Sequence, residues 1–217
     1  MVLFMKINLL PVGMLQTNCY IISTDRNNAI VIDPGAGAEE ILNFLRRENL
    51  TLRMLVYTHG HFDHTGATTL LKEQTGAQTI VPREDEDIFL DPALTGSGLF
   101  SGYRGYTPEK PDRLYSDGEQ IELDEVTLTV MHTPGHTKGS SILIGDGVIF
   151  TGDTLFAGSC GRTDLYGGNE REMTESLRKI AGLEGDYQIL PGHGGQSTLA
   201  REKITNPFLG TNYDDIF

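Results

Sequence analysis

The chain has 217 residues, with 17 basic and 30 acidic side chains and a formal net charge of −13. So acidic a protein repels phosphate at long range, which argues against a binder of nucleic acid or anionic membrane. Two cysteines, Cys19 and Cys160, are too few for a disulfide framework and suit a reducing compartment. With no apolar run of 18 residues and no signal-peptide order at residues 1–10, the expected location is cytoplasmic.

Taken in chain order, short apolar or β-branched runs at residues 2–10, 19–23 and 29–32 predict three strands, and Asp33-Pro34-Gly35 stops the third. Residues 38–49 predict a helix, with Ile41, Leu42 and Leu45 inward and Arg46, Arg47 and Glu48 outside. A strand at 52–58, a helix at 65–74 closed by Gly76 and a strand at 79–81 follow. The acidic run at 84–87 reads as the solvated first turn of a helix. Residues 91–114, with four glycines, three prolines and Phe100, Tyr103 and Tyr106, are the irregular exception and a candidate lid.

Strands are expected again at 118–123, 126–131, 140–144 and 148–151. Asn169 opens a helix with Glu172 three residues on, a capping-box pattern, and Met173, Leu177 and Ile180 form its buried stripe. Residues 188–190 make a last strand. The fold class is α/β (α+β): one domain over residues 1–217, two packed sheets covered by helices. Each half runs strands, a helix, then a strand ending in a histidine-bearing loop, the outline of a duplicated unit without a clear sequence repeat.

Three of the six histidines stand in Thr58-His59-Gly60-His61-Phe62-Asp63-His64, directly after an apolar strand. Extended backbone puts His59 and His61 on one side, within reach of one ion. A turn into a helix near residues 63–65 then swings Asp63 and His64 toward a second position. Imidazoles and a carboxylate are ligands of a borderline ion such as Zn²⁺; the plainer alternative makes Asp63 a helix N-cap and the histidines loop residues. Thr133-Pro134-Gly135-His136, Thr151-Gly152-Asp153-Thr154 and Leu190-Pro191-Gly192-His193 repeat one grammar of strand, turn and ligand-type residue. Together they would bring four loops to one edge of the sheets.

The set His59-x-His61-x-Asp63-His64, His136, Asp153 and His193 resembles the metallo-β-lactamase fold superfamily over essentially the whole chain. The stretches TPGHTKGS from Thr133, TGDTLF from Thr151, GRTD from Gly161 and PGHG from Pro191 look like the glyoxalase II (hydroxyacylglutathione hydrolase) branch, in a compact form without that family's C-terminal helical domain. The resemblance implies a four-layer αβ/βα sandwich of two mixed β-sheets flanked by helices. It implies two divalent ions, with zinc expected and iron or manganese as alternatives. His59, His61 and His136 would bind one, Asp63, His64 and His193 the other, and Asp153 both. Asp33 matches a position that supports the metal loop by hydrogen bonding, with an ordinary turn aspartate as the alternative. His132 is expected to be a strand residue and not a ligand. Histidine at 61 argues against the oxygen-reducing di-iron branch, and aspartate at 153 against the β-lactamases that use a thiolate there.

Two such ions ~3.5–4 Å apart lower the pKa of a shared water toward ~7, giving a metal-bridging hydroxide that attacks a thioester carbonyl. Asp63 and Asp153 are the expected catalytic residues. The implied activity is hydrolysis of a glutathione thioester of the S-lactoylglutathione type, the partner being that small molecule. Rival readings are a mononuclear-iron persulfide dioxygenase held by His59, His136 and Asp153, a lactonase or esterase on the same site, and a non-catalytic module with a structural metal. In the family a Lys and a Tyr after a Cys-Gly pair hold glutathione; here Cys160-Gly161 is followed by Arg162, with Tyr166 slightly displaced. Arg162, Lys138 and Tyr166 are thus the candidate substrate-binding residues, and Cys160 is expected to be a packed loop residue.

Overall fold

A computed structural model describes residues 5–99 and 110–209. The first half runs β1 (Lys6–Val12), β2 (Thr17–Ser23), β3 (Asn28–Ile32), α1 (Ala38–Arg47), β4 (Thr51–Val56), α2 (Phe62–Thr65), α3 (Thr68–Thr75), β5 (Gln78–Pro82) and α4 (Glu86–Leu90). The second runs β6 (Arg113–Tyr115), β7 (Gln120–Leu123), β8 (Val126–His132), β9 (Ser141–Gly145), β10 (Val148–Gly152), β11 (Leu155–Phe156), β12 (Ser159–Cys160), α5 (Glu170–Ala181), β13 (Gln188–Pro191), β14 (Ser197–Thr198) and α6 (Leu199–Thr205).

Two six-stranded sheets result, in the orders β1-β2-β3-β4-β5-β6 and β14-β13-β10-β9-β8-β7. Both are mixed: β3, β4, β5 and β6 run parallel beside the antiparallel β1–β3 meander, and β10 pairs parallel with β13 in an otherwise antiparallel second sheet. Strand β2 is buried on both faces and shows why the layers stack. Its side chains alternate in direction, so Cys19 and Ile21 pack under α1 while Tyr20 and Ile22 meet the second sheet. A third apolar cluster joins Ile142, Ile149 and Ile189 to Met173, Leu177 and Ile180 of α5. Each such fully buried side chain contributes about 1.5–3 kcal/mol. The four-layer αβ/βα sandwich is present.

Helix α5 begins where its cap dictates: the Asn169 side chain accepts from the Glu172 amide at 3.1 Å. The single helix expected over 65–74 is instead α2 and α3. The Ala67 amide donates to the Pro34 carbonyl at 2.9 Å, outside the helical ladder, and the helix restarts one residue later. The irregular stretch 91–114 contains a 3₁₀ turn at Ser97–Leu99 and ends in β6 beside β5. Residues 100–109, the centre of the candidate lid, lie outside the described residues. The acidic run at 84–87 is not wholly solvated: Asp85 is completely buried, because three donors converge on its carboxylate. Among the described residues no helix is long and apolar enough to cross a membrane.

Candidate metal centre

Four strands end at one edge of the sandwich: β4 from the first sheet and β8, β10 and β13 from the second. After β4 the backbone is not continuously extended as expected: it bends at Thr58 and His59, is extended at His61 (φ −66°, ψ 150°) and then enters α2, which still groups His59 with His61 while Asp63 and His64 emerge one turn on. His61, not Asp63, occupies the N-cap of α2, which removes the cap reading of Asp63.

The ligand-type atoms gather in three overlapping groups, each mutually within 4.8 Å: His59, His61 and His136; His59, His64 and Asp153; Asp63, His64 and His193. His61 Nδ1 lies 2.8 Å from His136 Nε2. His193 Nε2 lies 3.1 Å from Asp63 Oδ2. Between the outer groups stands Asp153, with Oδ1 3.4 Å from His64 Nε2 and Oδ2 3.6 Å from His136 Nε2 and 3.5 Å from His193 Nε2. All seven residues singled out as ligands are brought together.

The rings are aimed by contacts on their far sides. His136 Nδ1 is 2.7 Å from the Arg162 carbonyl and His193 Nδ1 3.2 Å from the Leu15 carbonyl. A carbonyl can only accept, so each Nδ1 carries a proton; on His136, which burial keeps neutral, that leaves the Nε2 lone pair free, while His193 Nε2 faces Asp63. His64 Nδ1 lies 3.0 Å from Asp33 Oδ2, a close charge contact and not an aligned hydrogen bond. Asp33 accepts from the Thr58 amide at 2.8 Å and its hydroxyl at 2.7 Å, so it anchors the start of the histidine loop. It adopts φ 51°, a conformation that aspartate tolerates better than most residues.

Charge divides the cluster. Burial holds His59 well below, and His61 near 3 against, the usual imidazole value; burial also lowers His136, so this trio stays neutral. For His64 burial acts the same way, but Asp153, Asp63 and Asp33 outweigh it and raise the ring well above its usual value. His193 is raised too, Asp63 and Asp153 overcoming burial. The carboxyls of Asp63 and Asp153 fall despite burial, chiefly through His64.

Strand β2 supplies supports that the sequence pattern did not single out; an asparagine inside an apolar strand was the available signal. The Thr17 hydroxyl donates to Asp63 Oδ2 at 3.2 Å. The Asn18 amide group donates to the carbonyls of Pro191 and Gly194, both at 2.9 Å, and Tyr20 donates to Pro191 at 2.8 Å. These bonds bracket His193 from the opposite sheet. Glycine at 192 is obligatory for space: a Cβ there would stand 2.2 Å from Asp153 Oδ1 and 2.7 Å from His64 Cε1.

Above the cluster opens a cavity of about 290 Å³ lined by His61, Asp63, His136, Asp153 and His193, by the apolar Leu15, Phe62, Leu99 and Leu165, and by Arg162. Arg162 is half-exposed and forms a two-pronged pair with Asp164 at 2.6 and 2.7 Å. Lys138 and Tyr166 do not line this cavity. Both bond to Asp87, at 3.3 and 3.0 Å, and the ammonium sits 4.7 Å from the tyrosine ring centroid. His132 belongs to β8 and contacts the Lys138 carbonyl. Cys160 is half-buried against the outer core.

The family model of the metallo-β-lactamase superfamily matches residues 12–193, which include every residue of this cluster. The chain belongs to that superfamily. A relative from Haemophilus influenzae, hydroxyacylglutathione hydrolase GloC, is 38% identical over 211 residues, covering 95% of this chain and 99% of its own. A solved structure described as the B3 metallo-β-lactamase BLEG-1 is 35% identical, with a TM-score of 0.89 over 94% of this chain and 99% of its own. TTHA1623, solved in a di-iron-bound form, is 32% identical, with a TM-score of 0.84 over 93% of this chain and all of its own.

The residues of this metallo-β-lactamase-fold centre fit a divalent metal. Among the described residues, His59 Nε2 and His61 Nε2 are buried without a hydrogen-bond partner. A buried polar atom left unpaired costs about 1–3 kcal/mol, and a bound cation removes that cost for a lone pair facing it. Mixed imidazole and carboxylate donors suit zinc or iron.

Proposed function

We propose that this metallo-hydrolase cleaves a thioester of glutathione, of the S-lactoylglutathione type, with two divalent ions in its centre. The observation that carries the reading is Asp153: its carboxylate reaches members of both donor groups, His136 of one and His64 and His193 of the other, at the floor of the cavity. His59, His61 and His136 would hold one ion, Asp63, His64 and His193 the other, and Asp153 both. When bound, such a pair activates water at neutral pH and polarises the substrate carbonyl.

The chain's own residues do the rest. The carbonyls of Arg162 and Leu15 keep the protons of His136 and His193 on Nδ1, away from the reaction. Asp63 Oδ2, steadied by Thr17, orients the attacking group. Leu15, Phe62, Leu99 and Leu165 surround the acyl group and exclude water. Arg162 receives a glutathione carboxylate by exchanging its exposed pair with Asp164. Such surface pairs are worth at most about 1 kcal/mol, so the exchange costs little. Lys138 and Tyr166 would meet only the outer end of the thiol.

The relative named hydroxyacylglutathione hydrolase supports the thioester. The relative described as a B3 metallo-β-lactamase favours a second reading, a strained cyclic amide in the same cavity, and the di-iron form of TTHA1623 supports iron as well as zinc.

The test is kcat/KM for S-D-lactoylglutathione on protein whose zinc and iron have been counted. A value above ~10⁴ M⁻¹s⁻¹ is expected. A far lower value with metal bound rejects this thioester, and turnover of a β-lactam, an acyl-homoserine lactone or, with oxygen uptake, glutathione persulfide would name the replacement.

A further inference from the structure

Asp85 lies outside the metal cluster, on the 3₁₀ turn before α4, and is fully buried. Its Oδ2 accepts from the Gly60 amide at 2.9 Å and the Thr137 hydroxyl at 2.7 Å, and its Oδ1 from the Gly139 amide at 2.6 Å. Gly60 is the residue between His59 and His61, and Thr137 is the residue after His136. One carboxylate therefore ties together the two loops, from different sheets, that carry the all-histidine group. Both loops pack closely here: a Cβ on Gly139 would stand 2.7 Å from the Asp85 amide nitrogen in the turn, and one on Gly60 2.8 Å from Ile88 of α4.

All three hydrogen-bond partners are neutral dipoles, and burying a carboxylate against neutral partners is expensive. Burial indeed pushes the Asp85 carboxyl up to about 6, with Asp87 adding to the shift and the three donors opposing it. A neutral side chain of similar shape would not do the same job. With asparagine, the amide nitrogen must face at least one N–H or O–H donor, leaving a buried donor unpaired.

We propose that Asp85 is a positioning residue that sets the spacing of His59 and His61 against His136, and through it the affinity of the first of the two metal sites. This rests on the two-ion reading above. Partners one step removed from ligands typically alter metal affinity by about 10–100-fold.

The test is zinc titration against a competing chelator on the whole chain, with the melting temperature recorded alongside. Wild-type protein should take up two ions. Asp85→Asn should weaken one by roughly 10–100-fold and leave the other unchanged, and Thr137→Val, which removes one donor without removing the charge, should shift the same ion by less. In a His193→Ala background, where the first site remains, Asp85→Asn should still weaken binding; in a His136→Ala background it should have no further effect. A mere loss of stability would weaken both ions together. Equal weakening of both, or no change in either, overturns the positioning role. Should Asp85→Asn not fold, the selective shift in Thr137→Val decides the matter. A wild-type chain that binds no zinc or iron would instead overturn the two-ion reading.

Discussion

His61 Nδ1 and His136 Nε2 stand 2.8 Å apart although 75 residues separate them, and the strands that precede them belong to different sheets. Two ring nitrogens in such contact, flanked by His59 Nε2 and His61 Nε2, which have no hydrogen-bond partner among the described residues, have a natural partner in a cation. Removing Asp153, which faces both sides of the cluster, should therefore reduce bound metal from two ions to one or fewer and activity by at least about 100-fold, on the scale of losing a group that acts on the transition state. Elemental analysis with steady-state kinetics checks this; two retained ions with near-normal turnover would refute the shared role.

Asn18 reaches across from β2 to the carbonyls on both sides of His193. Asn18→Ala abandons two acceptors and should cost about 1–3 kcal/mol in folding stability. It should also weaken, by roughly 10–100-fold, the ion that Asp63, His64 and His193 would hold. Denaturant melts of metal-free protein read the first effect and chelator competition the second.

Gly192→Ala is expected to spare the fold more than the centre. The backbone there needs no left-handed conformation, but the new methyl would meet Asp153 Oδ1 at 2.2 Å. Circular dichroism should stay close to wild type while metal content falls. A variant with full metal and full activity would show that the two loops yield more readily than their packing implies.

Arg162→Gln should raise KM for S-D-lactoylglutathione about tenfold, equivalent to ~1.4 kcal/mol, with kcat and metal content unchanged. Asp164→Asn frees the same guanidinium from its pair and should lower KM. An unaltered KM in Arg162→Gln would remove this residue from substrate recognition.

The Asp85 carboxyl is raised by burial, with Asp87 facing it, from 3.8 to about 6. The folded protein then binds the extra proton more tightly than the unfolded chain. The stability from this group is present below about pH 4 and is lost as pH rises through about 6, a swing of about 3 kcal/mol. Urea melts of metal-free protein from pH 4 to 7 should show that decline relative to Asp85→Asn, whose profile lacks it. Parallel profiles would mean that Asp85 is not raised.

Much of the centre was legible because its grammar is local. In Thr58–His64 three histidines and an aspartate stand within seven residues that end in a helix turn, and the turns before His136, Asp153 and His193 end strands for plain reasons of Pro and Gly geometry. The unbroken apolar core of β2, buried on both faces, and the stripe on α5 made the layers readable as well. Only the tertiary structure could decide the rest, since the remaining partners are joined by space and not by spacing. Asn18 finds Pro191 across 173 residues, and Asp85 finds Gly139 across 54. An acidic run looks solvated until two loops supply three donors to one of its members, and a lysine beside a ligand looks available until Asp87 and Tyr166 claim it. Backbone preference is written residue by residue; burial of a polar group is set by whatever the other sheet brings against it.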